Sequence, residues 1–206
     1  MSIVHQVPYV SQFASPELAA EFVREDDPLP LAADPRWAVT GAACPEEYAW
    51  WARRLCGMAC LSMALGARNI VAPGLVALAE ECTTHGGYVR RADGGLDGLI
   101  YAPFATWVGD RFAVKAEVLP TLPIDQVVDA IGAGCLAMIS VHPWVRWPDR
   151  RPPHRGGHLV LVVGVTTDTL VIHNPSGLPG SSQQYVHLTQ TQLENTYAQR
   201  GIVIHP

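Results

Sequence analysis

No stretch of this 206-residue chain approaches the roughly 20 consecutive apolar residues that a membrane-spanning helix needs. The opening residues, Met1-Ser2-Ile3-Val4-His5-Gln6, lack both the basic start and the long apolar region of a secretory signal. These absences point to a cytoplasmic protein without a membrane partner. The chain also lacks a dense cluster of lysine and arginine. Its nearest approach is Arg146, Arg150, Arg151 and Arg155, a loose series interrupted by three prolines in a chain of formal charge −5. Such a series reads as a solvated loop, its place just before His158 leaves a role at a site rim open, and nucleic acid is excluded as a partner. The five cysteines (Cys44, Cys56, Cys60, Cys82, Cys135) show no zinc-type pairing, so no metal or other cofactor is expected. Their odd number, in a reducing compartment, predicts free thiols. No internal repeat or low-complexity tract is present.

Hydrophobic residues make up 49% of the chain, enough for a sizeable core, and the length suits one domain over 1–206. Val7 to Phe13 reads as a short strand. Ser15 to Glu25 reads as a helix, with Ser15 as N-cap and Pro16 in the first turn. Residues 26–44, rich in proline and aspartate, form a loop. Pro45-Glu46-Glu47 opens a helix whose early acids suit its positive end. The run 57–67 is apolar on every face and predicts a central, buried helix. Further helices are expected at 74–82, 97–109 and 124–133, the last ended by Gly134, with a strand near 112–118 between them. The second half then changes character. Buried strands are predicted at 135–141, 159–165, 170–173 and 202–205. Helices first and strands later give an α+β class, with helices packed on an antiparallel sheet.

Cys56 lies where a turn gives way to the apolar helix. A helix N-terminus favours negative charge, so the spacing predicts a thiol with a depressed pKa. Gly57 behind it permits a tight turn and close approach of a substrate. Cys60, one turn on, reads as packing. His158 opens a predicted strand after Gly156-Gly157 and is the candidate base, with His154 its neighbour in the preceding loop. Asn174 follows the strand 170–173, and Pro175 ends it. If strands 159–165 and 170–173 form a hairpin around Thr166-Thr167-Asp168-Thr169, their outer ends meet and His158 comes beside Asn174. A nucleophile, a base, an orienting amide and an oxyanion donor are the four parts that thiol catalysis needs. Gln12 is the candidate for the fourth, together with the backbone N–H of Cys56.

On these residues the chain resembles the double-glycine leader peptidases, the bacteriocin-processing cysteine peptidases, and particularly their stand-alone relatives. The carrying segments are Val7-Pro8-Tyr9-Val10-Ser11-Gln12, Cys56 to Met63, Gly157 to Gly164 and His173-Asn174-Pro175. The resemblance spans most of residues 4–205 and implies a papain-like fold. It implies Cys56 as nucleophile, His158 as general base, Asn174 as third member and Gln12 as oxyanion donor. Two departures stand out. The family usually places Asp before the proline, where this chain has Asn174. Its glutamine usually lies a few residues before the nucleophile, whereas residues 13–55 intervene here and Trp50 and Trp51 hold the near positions. The stretch 13–45 therefore reads as an insertion, placed over the cleft or over the core.

The expected function is a cysteine peptidase or amidase acting on a peptide or amide through a thioester. Acyl transfer or cyclisation by the same chemistry remains open, with Trp50, Trp51, Trp107, Trp144 and Trp147 as walls that exclude water. A peptide-binding module without activity is the non-enzymatic alternative.

Overall fold

The computed structural model describes residues 2–206. Seven strands form one antiparallel sheet: β1 (Ile3–Val4), β2 (Ala116–Leu119), β3 (Leu136–Val141), β4 (His158–Val165), β5 (Thr169–His173), β6 (Val186–Thr189) and β7 (Tyr197–Ile204). Their order is β2-β7-β3-β4-β5-β6, and β1 adds to the far end of β4 through Ile3 opposite Val165. The helices are α1 (Ala19–Phe22), α2 (Pro45–Ala52), α3 (Cys56–Gly66), α4 (Leu75–Thr84), α5 (Tyr101–Phe112), α6 (Ile124–Gly132) and α7 (Gln190–Thr196). The α+β reading holds, with helices dominating the first half and the sheet coming mainly from the second.

Strand alternation divides the core into two layers. Leu136, Met138, Leu159, Leu161 and Val163 face the helices of the first half. Ala137, Ile139, Val160, Val162 and Ile172 face the other way, into a layer with Val127 and Ile131 of α6 and Leu193 of α7. Covered on both faces, β3 and β4 are buried at every position, which is why they read as continuous apolar runs. Helix α3 is equally apolar all round, and eight of its eleven residues are buried. It packs against β4 at the centre of the larger layer.

The sequence reading differs from the structure near the N-terminus. Residues 7–13 form no strand; β1 lies earlier, and the chain beyond it is tied to other elements through side chains. Between Ser15 and Glu25 the helix shrinks to a 3₁₀ turn at Pro16–Leu18 and the single turn α1. Ser15 does not cap it. Its Oγ donates to Asp34 Oδ1 at 2.6 Å, because a buried carboxylate is the stronger acceptor. The elements β6 and α7 carried too little apolar periodicity to be recognised. The capping box between Thr189 and Gln192 was the one local signal for α7.

Asp34 organises the segment 13–45. Besides Ser15 Oγ, its carboxylate accepts from the Ser15 and Arg36 amides, at 3.1 and 3.0 Å, and from Tyr48 Oη at 2.6 Å. Tyr48 is fully buried on α2, so these bonds lash the loop to the helical layer. Removing a buried acceptor leaves its donors unsatisfied, at about 1–3 kcal/mol per group. Asp34→Ala is expected to destabilise the fold by about 3 kcal/mol in urea unfolding. Glu21→Ala, which removes an exposed pair with Arg24, should change it by less than about 0.5 kcal/mol.

Candidate active site

Helix α2 ends at Ala52, and three residues of turn lead to Cys56, the first residue of α3. The first N–H groups of a helix have no acceptor within it. The carbonyl that Cys56 N–H would use in a continuous helix is that of Ala52, and Gln12 Nε2 donates to it at 2.9 Å. Gly57 is helical. A Cβ built on it would lie 2.8 Å from Leu99 Cδ2 and 3.4 Å from both Leu159 Cδ1 and Tyr88 Oη. The glycine is thus required by close packing of α3 on its neighbours, not by a turn.

His158 opens β4 after two glycines with φ of 84° and 96°, a left-handed pair that few other residues adopt. A Cβ on Gly156 would also meet Ser140 Oγ at 3.1 Å. The two glycines let the loop drop into the sheet with His158 as its first paired residue, opposite Val141.

The expected hairpin is present. Strands β4 and β5 pair antiparallel, with Leu161 opposite His173, and Thr166 N–H donates to Thr169 O across the turn at 2.8 Å. At its open end His158 Nε2 lies 2.9 Å from Asn174 Oδ1. Ser176 N–H donates to the same Oδ1 at 3.2 Å, which identifies that atom as the amide oxygen. An amide oxygen only accepts, so Nε2 carries the imidazole hydrogen. Nδ1 makes no hydrogen bond among the described residues and keeps its lone pair.

Cys56 and His158 line one cavity of about 590 Å³, with Tyr88, Leu99, Leu159 and Tyr101 among its walls. No hydrogen bond joins the thiol to the imidazole among the described residues. Backbone N–H groups of Leu159, Gly57 and Cys56 face the sulfur and favour the thiolate, but burial outweighs them and pushes the thiol up from its ordinary value. This reverses the expected depressed pKa: the same docking that places the thiol removes the water that would solvate its anion. Burial likewise lowers His158 to about 3, with Asn174 opposing the shift and Arg146 and His142 adding to it. Both shifts favour a neutral thiol and a neutral imidazole at rest.

Asn174 is completely buried, and among the described residues its Nδ2 has no partner. The N-terminal segment straps it in place: Tyr9 Oη donates to Asn174 O at 3.0 Å, and Gln12 N and Ser11 Oγ donate to Pro175 O at 2.9 and 3.0 Å. Gln12 therefore joins the two halves of the site, with its backbone on Pro175 and its amide on Ala52. Its side chain is not among those that line the cavity.

Two further residues were not singled out from the sequence. Ser176 Oγ lies 3.2 Å from His158 Nε2 and 3.4 Å from Asn174 Oδ1. Extending the hairpin register three residues past Leu161 and His173 would have brought it opposite His158. Arg146, read as part of a solvated series, is half-buried and donates to Ser176 Oγ at 2.7 Å. Burial, with Arg53 nearby, lowers its guanidinium to about 10. Nothing local in the sequence distinguished it from Arg150, which pairs with exposed Glu25. His154 packs edge-on against His142, with ring centroids 4.6 Å apart, and does not line the cavity.

None of the tryptophans lines the cavity, nor does any residue of 13–52. Trp51 and Trp107 are core, and the segment 13–45 covers the helical layer rather than the cleft. All five cysteines are free. Among the described residues, no group of three or more His, Cys, Asp or Glu side chains is placed to hold a metal ion, and no helix is long and apolar enough to cross a membrane.

A thiol on the first turn of a buried helix, sharing a cavity with a strand-borne histidine backed by an amide, is the arrangement of the papain-like cysteine peptidase fold. The chain belongs to the Peptidase C39-like family, whose profile matches residues 4–204. The structure is similar to that of a candidate C39-like peptidase from Bacillus anthracis, with a TM-score of 0.55 and 15% identity over 74% of this chain and 89% of that one. It is also similar to the peptidase domain of Streptococcus ComA, a bifunctional ABC transporter involved in quorum sensing. There the TM-score is 0.51 and the identity 13%, over 74% of this chain and 92% of that domain. No curated protein sequence matches the chain significantly.

Two pH responses follow. A neutral resting thiol is expected to be alkylated by iodoacetamide at a rate rising about tenfold per pH unit between pH 5 and 8. A plateau below pH 6, followed by peptide mapping of Cys56, would reveal a preformed ion pair instead. His158 and the fully buried His173 have folded pKa values of about 3 and about 4, below the ordinary histidine value. Both stay unprotonated in the fold while the unfolded chain takes up a proton on each below about pH 6.5. Stability is thus complete above that pH and lost as pH falls, by about 1.4 kcal/mol per unit for each histidine. Urea midpoints measured from pH 7 to 4 check this, and His173→Phe should flatten the slope.

Proposed function

We propose that this protein is a cysteine peptidase or amidase acting through Cys56, His158 and Asn174. The bond from His158 Nε2 to Asn174 Oδ1 carries the reading, because it leaves Nδ1 as the basic atom of an imidazole that shares a cavity with the thiol. As the sulfur attacks an amide carbonyl, Nδ1 takes the thiol proton, and the imidazolium keeps its second hydrogen on Asn174. Starting from a neutral pair, proton transfer accompanies attack rather than preceding it. The oxyanion is held by the N–H of Cys56, which no helical carbonyl claims. Gln12 supports that donor by holding the Ala52 carbonyl. The tetrahedral intermediate collapses as the imidazolium protonates the leaving nitrogen, and the amine departs. Water, deprotonated by Nδ1, then cleaves the thioester and restores the thiol.

The substrate is a peptide or amide, and residues 1–206 act as one unit in which 13–45 is an insertion over the helical layer. Hydrolysis is preferred to acyl transfer because the transfer reading relied on tryptophan walls that the cavity lacks. A module that only binds peptides has no use for a hydrogen-bonded His158–Asn174 pair in the same cavity as a thiol.

Intact-mass spectrometry with activated peptide esters tests the mechanism. The wild type is expected to gain one acyl group on Cys56 and to lose it to water. Cys56→Ala should lose the adduct with its fold intact, and turnover by that variant would refute the mechanism. Turnover should fall about 10³-fold or more in His158→Ala and less in Asn174→Ala, since the amide only orients the base. Cys60→Ala, at a fully buried packing position, should cost stability but leave the rate within about twofold.

A further inference from the structure

Three arginines, Arg53, Arg54 and Arg200, lie on the rim of the cavity that holds Cys56 and His158. They come from separate places in the fold: the turn between α2 and α3, and β7 on the opposite wall. The only carboxylate in the lining is that of Asp97, which is paired with Arg91 at 3.6 Å. Six other arginines (Arg24, Arg36, Arg90, Arg91, Arg111 and Arg150) each have a carboxylate partner within 4.0 Å. Among the described residues, the other seven (Arg53, Arg54, Arg68, Arg146, Arg151, Arg155 and Arg200) have none, and three of them, Arg53, Arg54 and Arg200, line this cavity. Arg53 donates to the Phe22 carbonyl at 3.3 Å, and Arg54 lies over the Trp50 ring at 4.6 Å with a bond to the Trp50 carbonyl. Both are thereby held in position with donor capacity to spare. In a chain of net charge −5, three arginines without a carboxylate partner give this cavity a local charge opposite in sign to that of the whole chain.

A cleft lined by one sign of charge focuses its field and raises the local concentration of the opposite charge. The guanidinium fork suits a planar carboxylate, and a charge-assisted bond of this kind is worth more than a neutral one. We infer that the cavity selects substrates that carry a carboxylate beside the scissile amide, held by Arg53, Arg54 and Arg200. This rests on Cys56 being the acyl acceptor. The carboxylate belongs either to an acidic side chain next to the cleaved bond or to the free end of a short chain.

Alkylation of Cys56 by three probes of nearly equal size tests this without knowledge of the natural substrate. They are the N-bromoacetyl derivatives of glutamate α-amide, glutamine α-amide and glutamine with a free α-carboxylate. In each, the thiolate displaces bromide and forms one S–C bond. Rates are followed by peptide mapping at pH 8.5 and divided by those of 2-mercaptoethanol. One acidic probe is expected to react about tenfold faster than the neutral one, about 1.4 kcal/mol of selectivity. The first acid over the neutral probe identifies a side-chain carboxylate, and the third identifies a chain end. The preference should shrink in 1 M salt and in Arg53→Gln, Arg54→Gln and Arg200→Gln. Arg200→Glu, an exposed strand position whose fold is checked by thermal melting, should invert it. Acid-to-neutral ratios equal to those of 2-mercaptoethanol overturn the inference while leaving acyl-enzyme formation untouched. A charge preference without any acyl-enzyme would instead leave a carboxylate site and remove the proposed activity. Failure of all three probes at Cys56 would overturn both.

Discussion

The docking of helix α3 on strand β4 is the contact on which the rest of the site depends. Gly57 has no Cβ to hold Leu99, Leu159 and Tyr88 away, so the helix seats with its first turn against the start of the strand. That approach brings the Cys56 sulfur to the Leu159 amide and onto the cavity that His158 lines. The two buried faces of β4 then fix the height of His158 relative to the helix. A slip of one residue would exchange Leu159 and Leu161 for Val160 and Val162 between the two core layers.

The same closeness sets the protonation state. Burial raises the thiol and lowers the imidazole, and three oriented amides do not compensate. The Arg146 guanidinium, one hydroxyl away through Ser176, further disfavours an imidazolium. In the proposed mechanism a resting neutral pair defers charge separation to the moment when a substrate oxyanion forms. Buried neutral histidines also weaken the fold in acid, so the arrangement costs stability at low pH and makes the proposed proton transfer uphill until an oxyanion is stabilised.

Around this centre the N-terminal segment acts as a strap. It adds Ile3–Val4 to β4, ties Tyr9, Ser11 and Gln12 to the Asn174–Pro175 corner, and reaches Ala52 at the end of α2 through the Gln12 amide. It does this with side chains and isolated amides rather than as a strand, so periodicity at 7–13 misdescribed it while Gln12 itself was visible. The following stretch packs through buried Asp34 onto Tyr48, away from the cavity. Composition alone had left its placement over cleft or core open, because proline-rich polar loops look alike in either position.

The sequence by itself determined the α+β class, the long central elements and the proximity of His158 to Asn174. Each follows from local rules: apolar runs for α3, β3 and β4, and a four-residue turn that makes adjacent strands a hairpin. Only the tertiary structure decided the direction of the thiol shift, the entry of Ser176 and Arg146 behind the histidine, and the gathering of Arg53, Arg54 and Arg200 at one rim. Those depend on solvent exclusion and on distances between segments far apart in the chain. A helix N-terminus read in isolation favours a thiolate, and the same terminus pressed against a sheet does not.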